Sequence, residues 1–266
     1  MDATQVNETR ALGIVREPKV FLVGRQTVDT AAIDRFLGEH AATWETDTEV
    51  GAEALAEMAG RVCYMSYGKG RKTNAEFLSH IIEVGHGSVL EHGVWSFLIT
   101  GVSRSFTHEL VRHRHFSYSQ LSQRYVNESD SDFIEPDVIA EDAALHAIWC
   151  EAVQATRQAY DRLVQGLQQR YAAIPEATLR RKLARQAARS VLPNATETKI
   201  FVTGNARALR HFIELRGSEH ADVEIRKVAV AVLELMRREA PAMFADYTLV
   251  PIAGGGVATH TDHPKV

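Results

Sequence analysis

The chain is organised around one polar run, Arg112-His113-Arg114-His115-Phe116-Ser117-Tyr118-Ser119-Gln120-Leu121-Ser122-Gln123-Arg124-Tyr125. These fourteen positions hold three arginines, two histidines, three serines and two glutamines, and they contain no carboxylate. Charged and amide groups need partners when they leave water, so the run cannot be buried on its own. It therefore faces either solvent or a ligand rich in hydrogen-bond acceptors, such as a phosphate or the edge of a nucleobase.

Basic residues cluster around this run although the whole chain is acidic. The net charge of the 266 residues is -4. Residues 104–124 nevertheless contain four arginines and three histidines against a single acid, Glu109, and residues 180–189 contain four arginines and one lysine without any acid. Two local basic clusters on an acidic protein favour a discrete anionic ligand over a general polyanion surface.

The run and its flanks resemble the signature of the flavin-dependent thymidylate synthases. The pattern consists of Arg112-His113-Arg114, seven further residues, Ser122 and then Arg124. Supporting blocks are His86-Gly87-Ser88 with Glu91-His92 upstream, and Asn205-Ala206-Arg207 with His211 and Arg216 downstream. The similarity extends from about Val50 to Pro241 and indicates a member of the actinobacterial type.

The resemblance implies where a flavin and a nucleotide bind. The residues that correspond to contacts of the flavin cofactor, FAD, are His86, Ser88, Arg112, His113, Arg114, Gln120, Asn205, Ala206, Arg207 and His211. Those that correspond to contacts of dUMP are Glu109, Leu110, Val111, Arg112, Gln120, Leu121, Ser122, Gln123, Arg124, Arg189 and Arg216. Arg216 corresponds to the catalytic residue of the family. Its role is physically reasonable, because a cation beside N3 and O4 of the pyrimidine favours negative charge on the ring and makes C5 a better carbon nucleophile.

The implied reaction is the reductive methylation of dUMP to dTMP. In the family that this chain resembles, 5,10-methylenetetrahydrofolate donates the methylene group, FADH2 donates the hydride and NADPH reduces the flavin again, and no enzyme thiol is needed. The same resemblance implies a homotetramer whose sites combine residues of several subunits. The protein then supplies positioning and electrostatics, while the flavin supplies the redox chemistry.

Three residues of interest have simpler explanations that the sequence leaves open. Ser122 could be a nucleophile, but the sequence shows no adjacent base, so a hydrogen bond to phosphate is favoured. Cys63 lies on an apolar helix without a cationic neighbour that would lower the pKa of its thiol, which favours an inert side chain. His86 could be a buried structural histidine, although the matching residue of the family lies close to the flavin ring.

The common cofactor and metal motifs are absent. There is no G-x-G-x-x-G after a strand, no phosphate-binding P-loop and no G-x-S-x-G. The segment from His108 to His113 resembles a zinc-protease helix, but its histidines are five residues apart where that motif needs four, so no metal is expected. Arg181, Arg185 and Arg189 recur every four residues, which is typical of a solvated helix face, and the resemblance favours binding for Arg189 alone.

A single-strand nucleic-acid-binding module is the competing hypothesis. Its basic and aromatic platform would consist of Arg112, Arg114, Phe116, Tyr118, Arg124 and Tyr125. The net negative charge and the lack of any recognised nucleic-acid-binding pattern argue against it, so we expect no nucleic-acid partner. The two hypotheses differ in colour, because only a purified flavoprotein is yellow.

Composition indicates a soluble protein of a reducing cytoplasm. The chain has only two cysteines, Cys63 and Cys150, in apolar surroundings, which argues against a disulfide framework. No apolar run approaches roughly 18 residues and the N-terminus lacks a signal-peptide pattern, so no membrane association is expected.

Hydrophobic periodicity predicts an α+β fold. Strands are expected near 20–23, 93–100, 198–202 and 247–252. Helices are expected near 31–40, 50–63, 74–84, 103–114, 179–190, 205–216 and 223–236, with one long helix or two in tandem over 137–171. We expect a flexible arm at 1–16, one catalytic domain at 17–252 with helices packed on a small mixed or antiparallel sheet, and a disordered tail at 253–266. The resemblance implies the thymidylate synthase-complementing protein fold, and the loop Gly68-Lys69-Gly70-Arg71-Lys72 is expected to be solvated.

Overall fold

The structure is a computed structural model that describes residues 12–67 and 70–266. The strands within these residues are β1 (Ile14–Val15), β2 (Lys19–Gly24), β3 (Val94–Ser103), β4 (Ser117–Gln120), β5 (Phe133–Ile134), β6 (Glu197–Asn205), β7 (Thr248–Pro251) and β8 (Val257–His260). The α-helices are α1 (Thr30–Glu39), α2 (Gly51–Tyr64), α3 (Asn74–Glu83), α4 (Arg104–Leu110), α5 (Asp137–Ala140), α6 (Ala143–Arg170), α7 (Ala177–Ala188), α8 (Ala206–Arg216), α9 (Val223–Glu239) and α10 (Pro241–Phe244). Short 3-10 helices cover Gly87–His92 and Arg189–Val191.

The strands form small sheets, as the α+β prediction requires. The largest has four strands in the order β2-β3-β6-β4. β1 pairs with β5 in parallel, and β7 pairs with β8 in an antiparallel hairpin. The predicted fold class is therefore confirmed.

The contacts of the chain divide it into two compact units. In the described residues, the first unit contains 12–18, 100–108 and 120–200, and the second contains the rest, namely 19–67, 70–99, 109–119 and 201–266. A single catalytic domain with the boundaries 17–252 stays a prediction.

The first unit contains the long helix α6, which packs against α7. The region 137–171 forms two helices in tandem, α5 and α6, which was one of the two predicted arrangements. Along α6, Tyr160 and Val164 are buried and form a core cluster with Ala188 of α7. Since these positions face one side of each helix, the apolar stripe that predicted the helix also explains its packing.

The second unit has an apolar strand at its core. Trp95, Phe97 and Ile99 of β3 are almost completely buried, as their alternation predicts. Trp95 meets Phe244 of α10 edge to face, with ring centroids 6.3 Å apart. Such aromatic contacts add to the stabilisation that comes from burial alone.

Helix α8 begins and ends where the sequence predicts. The side chain of Asn205 accepts a hydrogen bond from the backbone N–H of Ala208 at 2.8 Å, which caps the helix. Gly217 follows the last helical residue, Arg216. The helix therefore carries residues of the predicted site at both ends.

Several expectations need correction. The helix that starts after Ser103 ends at Leu110 rather than near Arg114. No strand was predicted in the polar run that follows, yet Ser117–Gln120 form strand β4. Residues of β4 are polar and carry no apolar alternation, so sequence periodicity could not reveal this strand.

The chain ends also differ from expectation where they can be described. Residues 1–11 of the predicted arm lie outside the described residues, but Ile14–Val15 within 1–16 pair with β5. The predicted disordered tail instead contains β8, and residue Val266 is buried. In the predicted basic loop, Gly68 and Lys69 lie outside the described part of the chain.

Candidate active site

The segment after α4 is held in place by a tyrosine. The hydroxyl of Tyr118 donates to the carbonyl oxygens of Leu110 at 2.7 Å and His113 at 2.8 Å. Burial raises the pKa of Tyr118 far above its usual range, so the phenol keeps its proton as a donor. Each carbonyl also accepts a backbone N–H, from His113 at 3.0 Å and from Phe116 at 3.2 Å, so Tyr118 fixes a turn that the backbone has already formed.

His113 is packed among aromatic rings. Its ring centroid lies 5.2 Å from that of Phe212 and 6.1 Å from that of Phe116. Burial, followed by the charges of Arg216 and His211, lowers the pKa of His113 to about 4. The imidazole is therefore neutral at physiological pH.

Arg216 connects this histidine to a carboxylate. Its Nε donates to Nε2 of His113 at 3.0 Å, and its Nη1 bonds Oε2 of Glu109 at 2.8 Å. Because Nε2 accepts this bond, the neutral imidazole carries its proton on Nδ1. The other guanidinium nitrogen, Nη2, has no hydrogen-bond partner among the described residues and can donate to a ligand.

A glycine allows the aromatic wall to approach β6. A Cβ atom at Gly204 would lie 2.5 Å from Cε1 of Phe116, well inside van der Waals contact. The position thus needs glycine because the Phe116 ring lies directly against the strand. Phe116 is buried and also packs edge to face on Tyr118 and Phe212.

His113, Phe116 and Arg216 border a cavity of about 690 Å³ in the second unit. It is lined by Glu91, Arg112, His113, Arg114, His115, Phe116, Asn205, Arg207, Ala208, His211, Leu215, Arg216, Lys265 and Val266. Among the lining side chains, four arginines and one lysine face a single acid, Glu91, so the side chains make the cavity cationic. Its volume lies within the roughly 300–1,000 Å³ typical of small-molecule sites.

The upstream block of the signature reaches the edge of this cavity. Arg207 pairs with Glu91 at 2.6 Å, and a Cβ atom at Gly87 would lie 2.9 Å from Nε of Arg207. His86 and Ser88 flank this glycine and are exposed, so the alternative of a buried His86 is wrong. The separate blocks His86–Ser88 and Asn205–Arg207 are thus brought together.

Not every predicted residue of the second unit faces the cavity. Leu110 is 1% exposed and belongs to the core, while Val111 is exposed and Ala206 is buried. The backbone N–H of Ala206 donates to the carbonyl of Gly93 at 2.8 Å. Leu110 and Ala206 therefore support the site through their backbone.

The remaining predicted residues belong to the first unit. They are Gln120, Leu121, Ser122, Gln123, Arg124 and Arg189. Gln120 donates to the hydroxyl of Thr107 at 3.0 Å, and the Ser122 hydroxyl accepts from the backbone N–H of Arg124 at 3.3 Å. The Nε of Arg124 is buried without a hydrogen-bond partner in the part of the chain that is described.

Arg104 also lies in this group, although no sequence motif predicted it. Its Nη2 donates to the carbonyl of Leu121 at 2.9 Å, while its buried Nε lacks a partner among the residues described. Burial lowers the pKa of Arg104, while the carboxylate of Glu128, 3.7 Å from Nη2, opposes the shift and the charge of Arg189 adds to it. The buried Nε–H groups of Arg104 and Arg124, which lack partners among the described residues, are donors of the kind that a phosphate accepts. Arg104 was visible in the basic count of 104–124, but no motif distinguished it.

Other candidates are not part of these groups. Arg181 bonds the Thr178 hydroxyl at 3.3 Å, which is a structural contact. Arg185 bonds the carbonyl of Tyr125, but its Nε, like those of Arg104 and Arg124, is buried without a partner among the described residues. Cys63 is exposed and its thiol donates to the carbonyl of Ala59. Within the described residues, no cluster of His, Cys, Asp or Glu is arranged to hold a metal ion.

A second cavity of about 450 Å³ in the same unit has the opposite character. Its lining includes the carboxylates Asp47, Glu53 and Asp246. An anionic cofactor would be repelled there, so the cationic cavity is the better candidate.

The structure is an α+β fold with a cationic cavity, whose charge suits an anionic ligand. The sequence matches the family "Thymidylate synthase complementing protein" over residues 46–242. It is 58% identical over 219 residues to the flavin-dependent thymidylate synthase of Mycobacterium sp. (strain JLS), covering 80% of this chain and 86% of the relative. The enzyme of the same description from Mycobacterium tuberculosis is 56% identical over 223 residues, covering 83% and 89%.

A solved structure supports the fold. The UMP/dUMP methylase PolB from Streptomyces cacaoi, crystallised with 5-Br UMP, matches with a TM-score of 0.64 and 21% sequence identity. The match covers 88% of this chain and 95% of that one. The chain belongs to the thymidylate synthase complementing protein family, the flavin-dependent thymidylate synthases. It is accordingly an FAD-dependent methyltransferase, as the first hypothesis predicted, and not a nucleic-acid-binding module.

The cationic cavity fits such a cofactor. The guanidinium groups of Arg112, Arg114 and Arg207 suit a pyrophosphate, and the ring of Phe116 offers an apolar surface for a flat ring system. No helix in the part of the chain described here is long and apolar enough to cross a bilayer.

Proposed function

We propose that the chain methylates dUMP to dTMP, taking the methylene group from 5,10-methylenetetrahydrofolate and the reducing electrons from NADPH. The observation that carries the proposal is the guanidinium of Arg216, fixed by Glu109 and His113 at the border of a cationic cavity. The description of the solved relative as a UMP/dUMP methylase supports a uridine monophosphate as substrate. The high identity to flavin-dependent thymidylate synthases supports the remainder of the reaction.

Arg216 is proposed as the catalytic residue. Its free Nη2 donates to the pyrimidine beside N3 and O4, where it stabilises the negative charge that makes C5 nucleophilic. Neutral His113 suits this task, because an imidazolium beside the guanidinium would repel it. Glu109 orients the same guanidinium and offsets part of its charge, at a separation of 2.8 Å.

The phosphate of dUMP is assigned to the basic group of the first unit. Ser122, Arg124 and Arg189 are the predicted contacts, and we add Arg104 because its buried Nε has no partner among the described residues. Hydroxyl and guanidinium groups are the donors that phosphate oxygens require. Gln120, Leu121 and Gln123 complete the substrate loop together with Arg112, Leu110 and Val111 of the preceding segment.

The flavin is assigned to the cationic cavity. His86, Ser88, Arg112, His113, Arg114, Asn205, Arg207 and His211 are the proposed contacts, with Ala206 acting through its backbone and Gln120 from the substrate loop. When bound, FAD supplies the hydride that turns the transferred methylene into a methyl group. The protein residues bind and orient the ring system and hold Arg216 beside the substrate.

We further propose a homotetramer in the cytoplasm whose subunits share each site. The proposal is supported by the close similarity to the flavin-dependent thymidylate synthases. Its consequence is that dilution below the dissociation constant of the tetramer should abolish activity.

The visible spectrum of the purified protein, reconstituted with FAD, tests the proposal. Anaerobic addition of NADPH should bleach the flavin, and dUMP should alter the rate of bleaching, because both ligands then share one site. If no flavin binds even when FAD is supplied in excess, the assignment fails, and oligonucleotide binding by the polar run should be measured instead.

The substitution Arg216→Ala tests the catalytic assignment. It should abolish dTMP formation while most of the flavin absorbance persists, since other side chains hold the cofactor. Arg237→Ala, on the exposed side of α9, is the matched control and should keep normal turnover. Near-normal turnover of Arg216→Ala would overturn the proposed role.

A further inference from the structure

The hairpin β7–β8 and the residues after it lie outside the family match of 46–242, yet they hold the helix that carries the site. Helix α8 presents Asn205 and Arg207 to the cavity at one end and Arg216 at the other. Its position along and around its axis therefore decides where these groups point. Contacts that fix the last turn of α8 matter most for Arg216.

Thr259 of β8 makes two hydrogen bonds to that last turn. Its hydroxyl donates to the carbonyl of Ile213 at 2.8 Å, and its backbone N–H donates to the carbonyl of Gly217 at 2.8 Å. The carbonyl of Ile213 also accepts from the backbone N–H of Gly217 at 2.8 Å. Thr259 thus bonds carbonyl groups on either side of Arg216, one of them three residues before it and the other one residue after it.

The approach of Thr259 is so close that it excludes any side chain at residue 217. A Cβ atom there would lie 2.6 Å from Cγ2 of Thr259 and 2.5 Å from the carbonyl oxygen of Ile213. The φ angle of Gly217 is -82°, which any residue can adopt. Glycine is therefore needed at 217 for contact with the hairpin and not for its backbone conformation.

A second anchor joins the middle of α8 to the same part of the chain. Arg210 is 1% exposed and pairs with Asp246 at 2.7 Å. Its Nε also donates to the carbonyl of Val266 at 3.3 Å. Because Arg210 fixes the middle of the helix, removal of the Thr259 hydroxyl should loosen only the last turn.

We propose that Thr259 is a positioning residue for Arg216, holding the last turn of α8 so that the guanidinium reaches Glu109 and His113 together. This inference rests on the role proposed above for Arg216. Two bonds of 2.8 and 3.0 Å leave the guanidinium little freedom while the turn is held. A displacement of about 1 Å at a catalytic group can cost on the order of 100-fold in rate.

Three variants of the full chain test the proposal, with FAD present. Thr259→Val keeps the shape of the side chain and removes the hydroxyl, whereas Thr259→Ser keeps the hydroxyl. Thr248→Val is the control, because Thr248 lies in the same hairpin and its hydroxyl donates only to the carbonyl of His260, at 3.5 Å. We expect kcat to fall about tenfold in Thr259→Val with little change in the KM for dUMP, and to remain near normal in the other two.

Hydrogen exchange of the segment 206–217 gives a readout that needs no substrate. Thr259→Val should speed exchange of the amides in the last turn of α8 and leave the first turns unchanged. A Thr259→Val protein that loses thermal stability but keeps kcat would overturn the positioning role, as would equal losses in Thr259→Ser. If the wild-type protein forms no dTMP, the proposed function fails. Separately, unchanged hydrogen exchange in Thr259→Val would show that the Thr259 hydroxyl does not hold the last turn of α8.

Discussion

At the level of single residues, the site depends on an imidazole that stays neutral beside an arginine. His113 is buried, and positive charge on Arg216 and His211 disfavours a second charge beside them. The pKa of His113 therefore falls to about 4. A hydrogen bond from Arg216 needs the lone pair of His113, and protonation would remove it. Low pH should therefore disrupt the orientation of Arg216 only when it approaches 4.

The lowered pKa of His113 predicts a pH dependence of stability. The unfolded chain takes up a proton on this residue near pH 6.5, whereas the folded chain does so only near pH 4. Between these values the free energy of unfolding should fall as the pH drops, by up to about 1.4 kcal/mol per pH unit. His113→Gln lacks this loss, so its stability deficit relative to the wild-type protein should shrink between pH 7 and pH 5 by about 1–2 kcal/mol.

Denaturant unfolding of the FAD-loaded protein at the two pH values measures this difference. His220→Gln is the control, because the side chain of His220 is 87% exposed. A deficit of His113→Gln that is the same at both pH values would contradict the lowered pKa.

Ser122 tests whether the signature serine binds or attacks. Its hydroxyl accepts a backbone N–H from Arg124, and no histidine or carboxylate contacts it among the described residues. Ser122→Ala should therefore raise the dissociation constant of dUMP about tenfold, through loss of one charge-assisted hydrogen bond, and leave measurable turnover. Calorimetry and dTMP assays separate the two effects. Complete loss of turnover with normal dUMP affinity would restore the nucleophile hypothesis.

At the level of elements, the caps of α8 and α9 allow stability to be separated from cofactor binding. Asn205 caps α8 and also lines the cavity, whereas Asp222 caps α9 through the N–H of Glu224 at 2.9 Å and does not line the cavity. Each change to alanine should cost about 1 kcal/mol of stability. Only Asn205→Ala should also weaken FAD binding.

Thermal unfolding and fluorescence titration with FAD measure these two losses. Asn205→Asp preserves the capping oxygen, so it should recover stability, but its negative charge should still weaken binding of the anionic cofactor. Equal FAD affinities of Asn205→Ala and Asp222→Ala would show that residue 205 acts only as a cap.

Sequence predicted the elements that have their own periodic signal. Helices α6, α8 and α9 follow from apolar spacing and caps, and β3 follows from its alternation. β8 was missed because Gly254-Gly255-Gly256 indicates disorder by composition, whereas their φ angles of 87°, 97° and 84° form the turn of a hairpin. Pairing with β7 is a tertiary property that no local pattern reports.

Sequence predicted the residues of the site that belong to a motif and missed those that reach it only through the fold. The signature and its flanks placed Arg112, His113 and Arg207 at one cavity, because the family resemblance carried long-range information. Lys265 has no such signal, since it reaches the cavity only through the fold of the chain after β8. The same holds for Thr259, whose importance lies entirely in its contact with α8.

At the level of the whole molecule, charge acts in two opposing ways on an anionic cofactor. The net charge of -4 repels FAD at long range, while the cluster of arginines and Lys265 attracts it at short range. Salt screens both effects, with a Debye length that shrinks from about 14 Å at 50 mM to about 6 Å at 300 mM. The sign of the salt effect therefore reveals which of the two dominates.

Because the cluster lines the cavity itself, the dissociation constant of FAD should rise several-fold between about 50 mM and about 300 mM salt. Riboflavin, which has the ring system without phosphates, should bind more weakly and show almost no salt dependence. Fluorescence titration of both ligands at each salt concentration measures these constants. If added salt tightens FAD binding, or if riboflavin and FAD respond alike, the guanidinium groups of the cavity do not recognise the pyrophosphate, and the cofactor must be held chiefly through its ring.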